Sequence, residues 1–129
     1  MKYLLDTDVV IDHIKGKRIL PGKIIETGLS ISIITYGELL YGAEKSKDKD
    51  KSFRVVFSFL EELAVDIVGL DKDIMALYAQ LKANLEVAGQ RLDNFDLLIG
   101  VTAAKNNFSL ITRNIKHFER IKGLKIISG

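Results

Sequence analysis

Five short apolar runs rich in β-branched residues, Lys2–Asp6, Ser30–Ile34, Val65–Val68, Phe108–Thr112 and Lys125–Ile127, are separated by segments of helical period. The clearest helical segment is Asp71–Glu86, in which Ile74, Leu77, Tyr78, Leu81 and Leu85 recur at the spacing of one helix face. Thr35–Lys45, Ser52–Leu63 and Asp93–Asn106 follow the same rule. Apolar strands alternating with helices must be covered on both faces, which calls for a mainly parallel sheet between two helical layers. The expected fold class is therefore α/β, a three-layer α/β/α domain with a mainly parallel sheet of about five strands. Its 129 residues suffice for one sizeable core, so 1–129 is read as a single domain.

The charge balance of +2 neither demands nor forbids a nucleic-acid partner, because a local basic patch can sit on a nearly neutral protein. The absence of cysteine excludes disulfides, thiolate chemistry and Cys-based zinc sites. The chain begins directly on a strand-like run, and no apolar stretch is long enough to span a bilayer, so the expectation is a soluble cytoplasmic protein without a membrane partner. Lys45-Ser46-Lys47-Asp48-Lys49-Asp50-Lys51 alternates in charge and suits a solvated connection between helices.

The acids carry the functional signal. The first run ends in Asp6-Thr7-Asp8. Ionised carboxylates are costly to bury unless paired, hydrogen-bonded or bound to metal. Each acid has a local explanation. Asp8 suits a cap of the first helix, Thr35…Glu38 matches a capping box, Asp93 and Asp96 begin a helix, and Asn114 suits a cap of the turn Ile115–Phe118. Their distribution argues for more. In a parallel sheet, strands end and the following helices begin on the same edge. Asp6 closes the first strand, Thr112-Arg113-Asn114 closes the fourth, and Glu38 is expected in the first turn of the helix after the second. Asp96 belongs to the helix that enters the fourth strand through Asn106-Asn107, so its N-terminus lies on that edge as well. Ligands bind at the C-terminal edge of open α/β sheets. Mutual repulsion disfavours such a cluster without a cation. The donors are hard oxygens, which suit Mg²⁺ or Mn²⁺. A pair of such ions roughly 3.5–4 Å apart can activate water against a phosphodiester and stabilise the leaving oxygen.

Four segments, LLDTDVVID (4–12), SIITYGELLYGAEKS (32–46), GQRLDNFDLLIGVTA (89–103) and LITRNIKHFERIKGL (110–124), together resemble the PIN domain, and specifically the VapC-type toxins of toxin–antitoxin modules. The resemblance implies a metal-dependent endoribonuclease. It places Asp6, Glu38 and Asp96 on the family's three most constant acids, as Mg²⁺ (or Mn²⁺) ligands and catalytic residues. Thr7, Asp93 and Thr112 take supporting positions around them. The family usually has a fourth acid after the fourth strand. Here Asn114 stands there as the remaining catalytic candidate, with His117 where many relatives carry an acid, which implies one firmly held ion and a weaker second site.

RNA must also be held, and Arg113, Lys116, Arg91 and Lys15 are the candidate phosphate contacts, with Lys17, Arg18 and Arg120 nearby. His117 is read as a surface residue before an acid–base one, and His13 as an inert residue on the outer face of the first helix. Tyr36 and Tyr41 are assigned to helix packing. The resemblance further implies a small antitoxin partner seated in an apolar groove between Val9–Ile14 and Phe53–Leu63, where Phe53, Phe57 and Phe59 add aromatic surface. It also implies a homodimer, with Asp71–Glu86 as a contributor, and DNA contact only through the antitoxin. The alternatives are a catalytically weakened PIN-like protein that binds RNA or antitoxin, a PIN nuclease of RNA processing without an antitoxin, and a phosphoacceptor receiver-like domain. A receiver wants an acid at the end of the third strand, where Val65-Asp66-Ile67-Val68 has none.

Overall fold

In the computed structural model, which describes residues 2–129, the five apolar runs become β1 (Tyr3–Leu5), β2 (Leu29–Ser32), β3 (Asp66–Val68), β4 (Ser109–Thr112) and β5 (Lys125–Ser128). They form one sheet in the order β3-β2-β1-β4-β5, and every pairing is parallel. The helices α1 (Thr7–Ile14), α2 (Gly22–Thr27), α3 (Ile33–Glu44), α4 (Lys49–Glu62), α5 (Lys72–Val87), α6 (Asn94–Lys105) and α7 (Ile115–Phe118) flank it. The fold is the expected three-layer α/β/α arrangement. Among the described residues no helix is long and apolar enough to cross a membrane.

Alternation along each strand divides the core. Leu4 and Leu110, paired in register, face a cluster built with Ile74, Leu97, Val101 and Phe118 from α5, α6 and α7. Their neighbours Leu5 and Ile111, also paired, face the opposite cluster with Val10, Leu39, Val56 and Phe59 from α1, α3 and α4. The chain winds outward from β1 to β2 and β3, then returns to lay β4 on the other side of β1. The strand order therefore reverses between β1 and β4, and this is where open parallel sheets form a ligand crevice at their C-terminal edge. The receiver-like alternative fails here, since its order is 2-1-3-4-5 and β3 ends on Val68 with no acid.

Several boundaries differ from the sequence expectation. Ile33 and Ile34 open α3 instead of extending β2, because the Ser32 hydroxyl accepts the Thr35 N–H at 3.0 Å and caps the helix. Thr35 is thus inside the helix and Glu38 in its second turn, so the expected capping box does not form. Asp48 caps α4 by accepting from the Lys51 N–H, which brings Lys49–Lys51 of the charged run into the helix. The short α2 behind Pro21 lies outside the helical segments expected from the sequence. At six residues, with no residue fully buried, it has no periodic pattern to announce it. Its Ile24 and Ile25 pack on the Leu5–Ile111 cluster.

The wholly buried Ser30 hydroxyl in β2 has no hydrogen-bond partner among the described residues. A buried polar group without a partner costs roughly 1–3 kcal/mol. Ser30→Ala is therefore expected to stabilise the protein by about 1 kcal/mol in urea denaturation. A loss of stability would reveal a partner for that hydroxyl in solution.

Candidate active site

Asp6 is held at the β1–α1 junction in extended conformation, where its C=O accepts from the Val10 N–H. Its side chain is committed at both oxygens. Oδ1 accepts the Thr7 N–H at 2.8 Å and Oδ2 accepts the Thr112 hydroxyl at 2.8 Å. Asp6, not Asp8, caps α1, and Asp8 lies in the first turn. Only 4% of Asp6 is exposed. Burial raises its carboxyl pKa above the usual range, the two hydrogen bonds oppose this, and Asp8 adds to the rise while Arg113 reduces it.

Thr7 ties the second acid to the first. Its hydroxyl donates to Glu38 Oε1 at 2.6 Å and lies 3.0 Å from the hydroxyl of the buried Thr35. One turn of α1 is thereby linked to the inward face of α3. Thr35 reads as a helix cap in the sequence, and only the fold brings it to this acid pair.

Asp96 enters from α6, whose N-cap Asp93 accepts from the Phe95 N–H. Its carboxyl is pushed up to about 6, first by burial and then by the negative charges of Asp6 and Asp93, with Glu38 adding to the effect. His117 acts in the opposite sense, with Nδ1 3.7 Å from Asp96 Oδ2. Asp6, Glu38, Asp93 and Asp96 thus share one electrostatic field, as their placement at a common sheet edge requires. Among the described residues, no three Asp, Glu or His side chains form a ready-made metal-holding group. The donor set nonetheless fits a hard cation, because Mg²⁺ keeps several waters and takes one or two carboxylates directly. Asp6, Glu38 and Asp96 are the carboxylates that would hold it, one or two of them directly and the rest through water.

Asn114 occupies the N-cap position of α7, yet its side chain makes no capping hydrogen bond, contrary to the cap reading. Its backbone N–H donates to Thr112 Oγ1 at 2.9 Å. Thr112 therefore relays between Asn114 and Asp6. Thr112→Val removes both contacts and leaves a buried carboxylate short of a donor. The expected result is a stability loss of roughly 1–3 kcal/mol in chemical denaturation. Thr112→Ser should restore most of it.

The basic residues separate into engaged and solvent-facing groups. Lys15 and Lys116 are exposed. The Arg120 guanidinium donates to the Arg91 carbonyl at 2.7 Å, and Arg18 donates to the Gly129 carbonyl. Arg113 is drawn onto α1, with Nε 3.2 Å from Asp12 Oδ2 and a terminal nitrogen 3.8 Å from Asp8 Oδ2. Asp12, unassigned from the sequence, is buried. Its spacing of four from Asp8 was the available signal, since it sets both acids on one helical face.

His13 is not on an outer face. Its Nδ1 accepts the Leu20 N–H at 3.0 Å and its ring meets Phe59 edge-on, so it has a structural role. Tyr36 packs against the core as expected, but Tyr41 is 65% exposed with the Lys45 ammonium over its ring. A cavity of about 440 Å³ lies between α1 and α4 as expected, lined by Ile14, Val55, Phe59 and Leu63 together with charged residues. A larger and more apolar groove of about 680 Å³ lies among α1, α3 and α4, with Ile11, Ile14, Leu39, Ala43, Val55 and Val56 in its lining. Phe59 is mostly in the core and closes the base of the first cavity, and Phe53 stacks on Phe57 outside both.

The PIN domain family model matches residues 3–124. Ribonuclease VapC1 of Methanocaldococcus jannaschii is 37% identical over 129 residues, which cover 97% of this chain and 86% of the relative. The tRNA(fMet)-specific endonuclease VapC of Salmonella typhimurium is 35% identical over 134 residues, covering 98% and 96% of the two chains. The crystal structure of VapBC2 from Rickettsia felis bound to a promoter DNA fragment superposes with a TM-score of 0.89 at 31% identity, covering 99% of this chain and 98% of that one.

Proposed function

Because the chain belongs to the PIN domain family and, within it, to the VapC type, we propose that it is the toxin of a toxin–antitoxin module, a metal-dependent endoribonuclease acting on RNA phosphodiesters. The observation that carries this reading is the convergence of Asp6, Glu38 and Asp96 at the edge beside the β1–β4 reversal, where Asp6 and Glu38 both raise the proton affinity of Asp96. The residues that would hold Mg²⁺ or Mn²⁺ are these three, with Asn114 adding a neutral oxygen. When bound, such an ion polarises a phosphodiester and makes a coordinated water more acidic.

The chain's own groups do the positioning. The Thr7 N–H and the Thr112 hydroxyl aim Asp6, and the Thr7 hydroxyl aims Glu38. Asp93 starts α6 so that Asp96 enters the same space. His117, when protonated, offsets one negative charge beside Asp96. Lys116, Lys15 and Arg91 hold RNA phosphates on the rim, which makes binding salt-dependent.

The antitoxin partner lays an apolar helix into the α1–α3–α4 groove, a contact in which side chains at helical spacing fill a preformed trough. The reading includes a homodimer, a cytoplasmic site of action and DNA contact through the antitoxin. Its test is cleavage of a tRNA pool by antitoxin-free protein with Mg²⁺ or Mn²⁺ and then with EDTA. Cutting that needs the metal and disappears in Asp96→Asn supports the enzyme. Metal-independent cutting, or equal cutting by both proteins, rejects it.

A further inference from the structure

Arg113 sits between two residues of the site, Thr112 and Asn114, and its side chain reaches onto α1 while its charge still acts on Asp6. There it meets Asp12, whose side chain is 8% exposed, and Asp8 one turn earlier. A buried carboxylate left without a counter-charge is strongly unfavourable. Two acids at i, i+4 on one helix also repel each other. Arg113 answers both demands with one planar guanidinium, a geometry that lysine does not reproduce. The backbone on either side is bonded into the site. The Thr112 hydroxyl donates to Asp6, and the Asn114 N–H donates to that same hydroxyl.

We propose that Arg113 is a positioning residue, whose ion pair with Asp12 pins the β4–α7 turn onto α1 and so holds Thr112 and Asn114 in place against Asp6. This role differs from that of an RNA contact. The Arg113 side chain is 41% exposed, but moving it to RNA would break its contacts with both acids and leave Asp12 buried without this ion pair. The catalytic part of the inference rests on the nuclease reading above, whereas the structural part does not.

The experiment compares Arg113→Ala, Arg113→Lys, Asp12→Asn and the Arg113→Ala/Asp12→Asn double variant. Four quantities are read: kcat and KM on tRNA with Mg²⁺, the salt dependence of RNA binding, and hydrogen exchange at the Asn114 amide. Supporting groups around a site typically matter by about 10–100-fold. Arg113→Ala and Asp12→Asn should therefore each lower kcat about tenfold with little change in KM or salt slope. The double variant should fall no further, and Asn114 exchange should accelerate in all three. Arg113→Lys should not recover kcat.

If instead Arg113→Ala raises KM and flattens the salt slope by about one, Arg113→Lys rescues it, and Asp12→Asn changes nothing, Arg113 is a phosphate ligand and the proposal is overturned. Lower thermal stability with kcat and Asn114 exchange unchanged overturns it as well. A wild-type protein that cuts no RNA would sink the nuclease reading alone, because Asn114 exchange still decides whether the clamp exists.

Discussion

Asp96→Asn is expected to reduce metal-dependent RNA cleavage by roughly 100-fold or more, and also to raise the melting temperature of the metal-free protein at pH 7. The two effects share a cause. Burial and the charges of Asp6, Asp93 and Glu38 lift the Asp96 carboxyl from 3.8 to about 6. Between those values the folded protein holds a proton that the unfolded chain has released. Stability from this group is therefore fully present below pH 3.8 and is lost as pH rises through about 6. Asp6, also raised by burial, acts in the same direction. At neutral pH the metal-free site is a liability, and a neutral amide removes part of it. A divalent ion should reverse the order by binding the folded wild type and adding stability in proportion to the logarithm of its concentration. Thermal melts of both proteins from pH 5 to 8, with EDTA and with Mg²⁺, check this. If the variant melts below the wild type at pH 7 in EDTA, the like-charge account of the site is wrong.

Phe118→Ala should cost about 3–5 kcal/mol in urea denaturation, the usual range for a large side chain removed from a closed core. Phe118 is wholly buried beside Leu97, Ile99 and Ile121. It anchors a four-residue helix that cannot persist alone. Its N–H also bonds the Asn114 carbonyl, so loosening α7 releases one side of the candidate site. Cleavage should fall together with stability. A loss below about 1 kcal/mol would mean that the surrounding residues close the cavity. Gly100 on α6 makes the tight seating possible. A Cβ there would collide with Ile121 Cδ1 and lie 3.3 Å from Phe118 Cδ1. Nothing in the local pattern of Asp93–Asn106 distinguishes that glycine from a chance interruption of a helix.

The differences between the sequence expectation and the structure have a common origin. Ile33-Ile34 reads as strand because β-branched residues favour it, but the Ser32 cap outweighs the preference. Thr35…Glu38 reads as a capping box because three-residue spacing is all a local rule sees. The partner of Glu38 is Thr7, 31 residues away, and only the folded sheet brings them together. Asp8 and Asn114 were suitable cap types, but the capping bond at α1 comes from Asp6 and the one at α7 is absent.

What the chain determines by itself is the alternation of elements, and with it the α/β class, the parallel sheet and the edge on which Asp6, Glu38, Asp96 and Asn114 must gather. Those follow from hydrophobic period and connection length, which are local in sequence. The tertiary structure alone decides which oxygen each donor meets, that Arg113 answers Asp12, that His13 supports a loop, and that the groove has α3 as a wall. Such pairings join residues far apart in sequence. Their energies depend on burial and on distances of a few ångströms, and neither exists until the layers have packed.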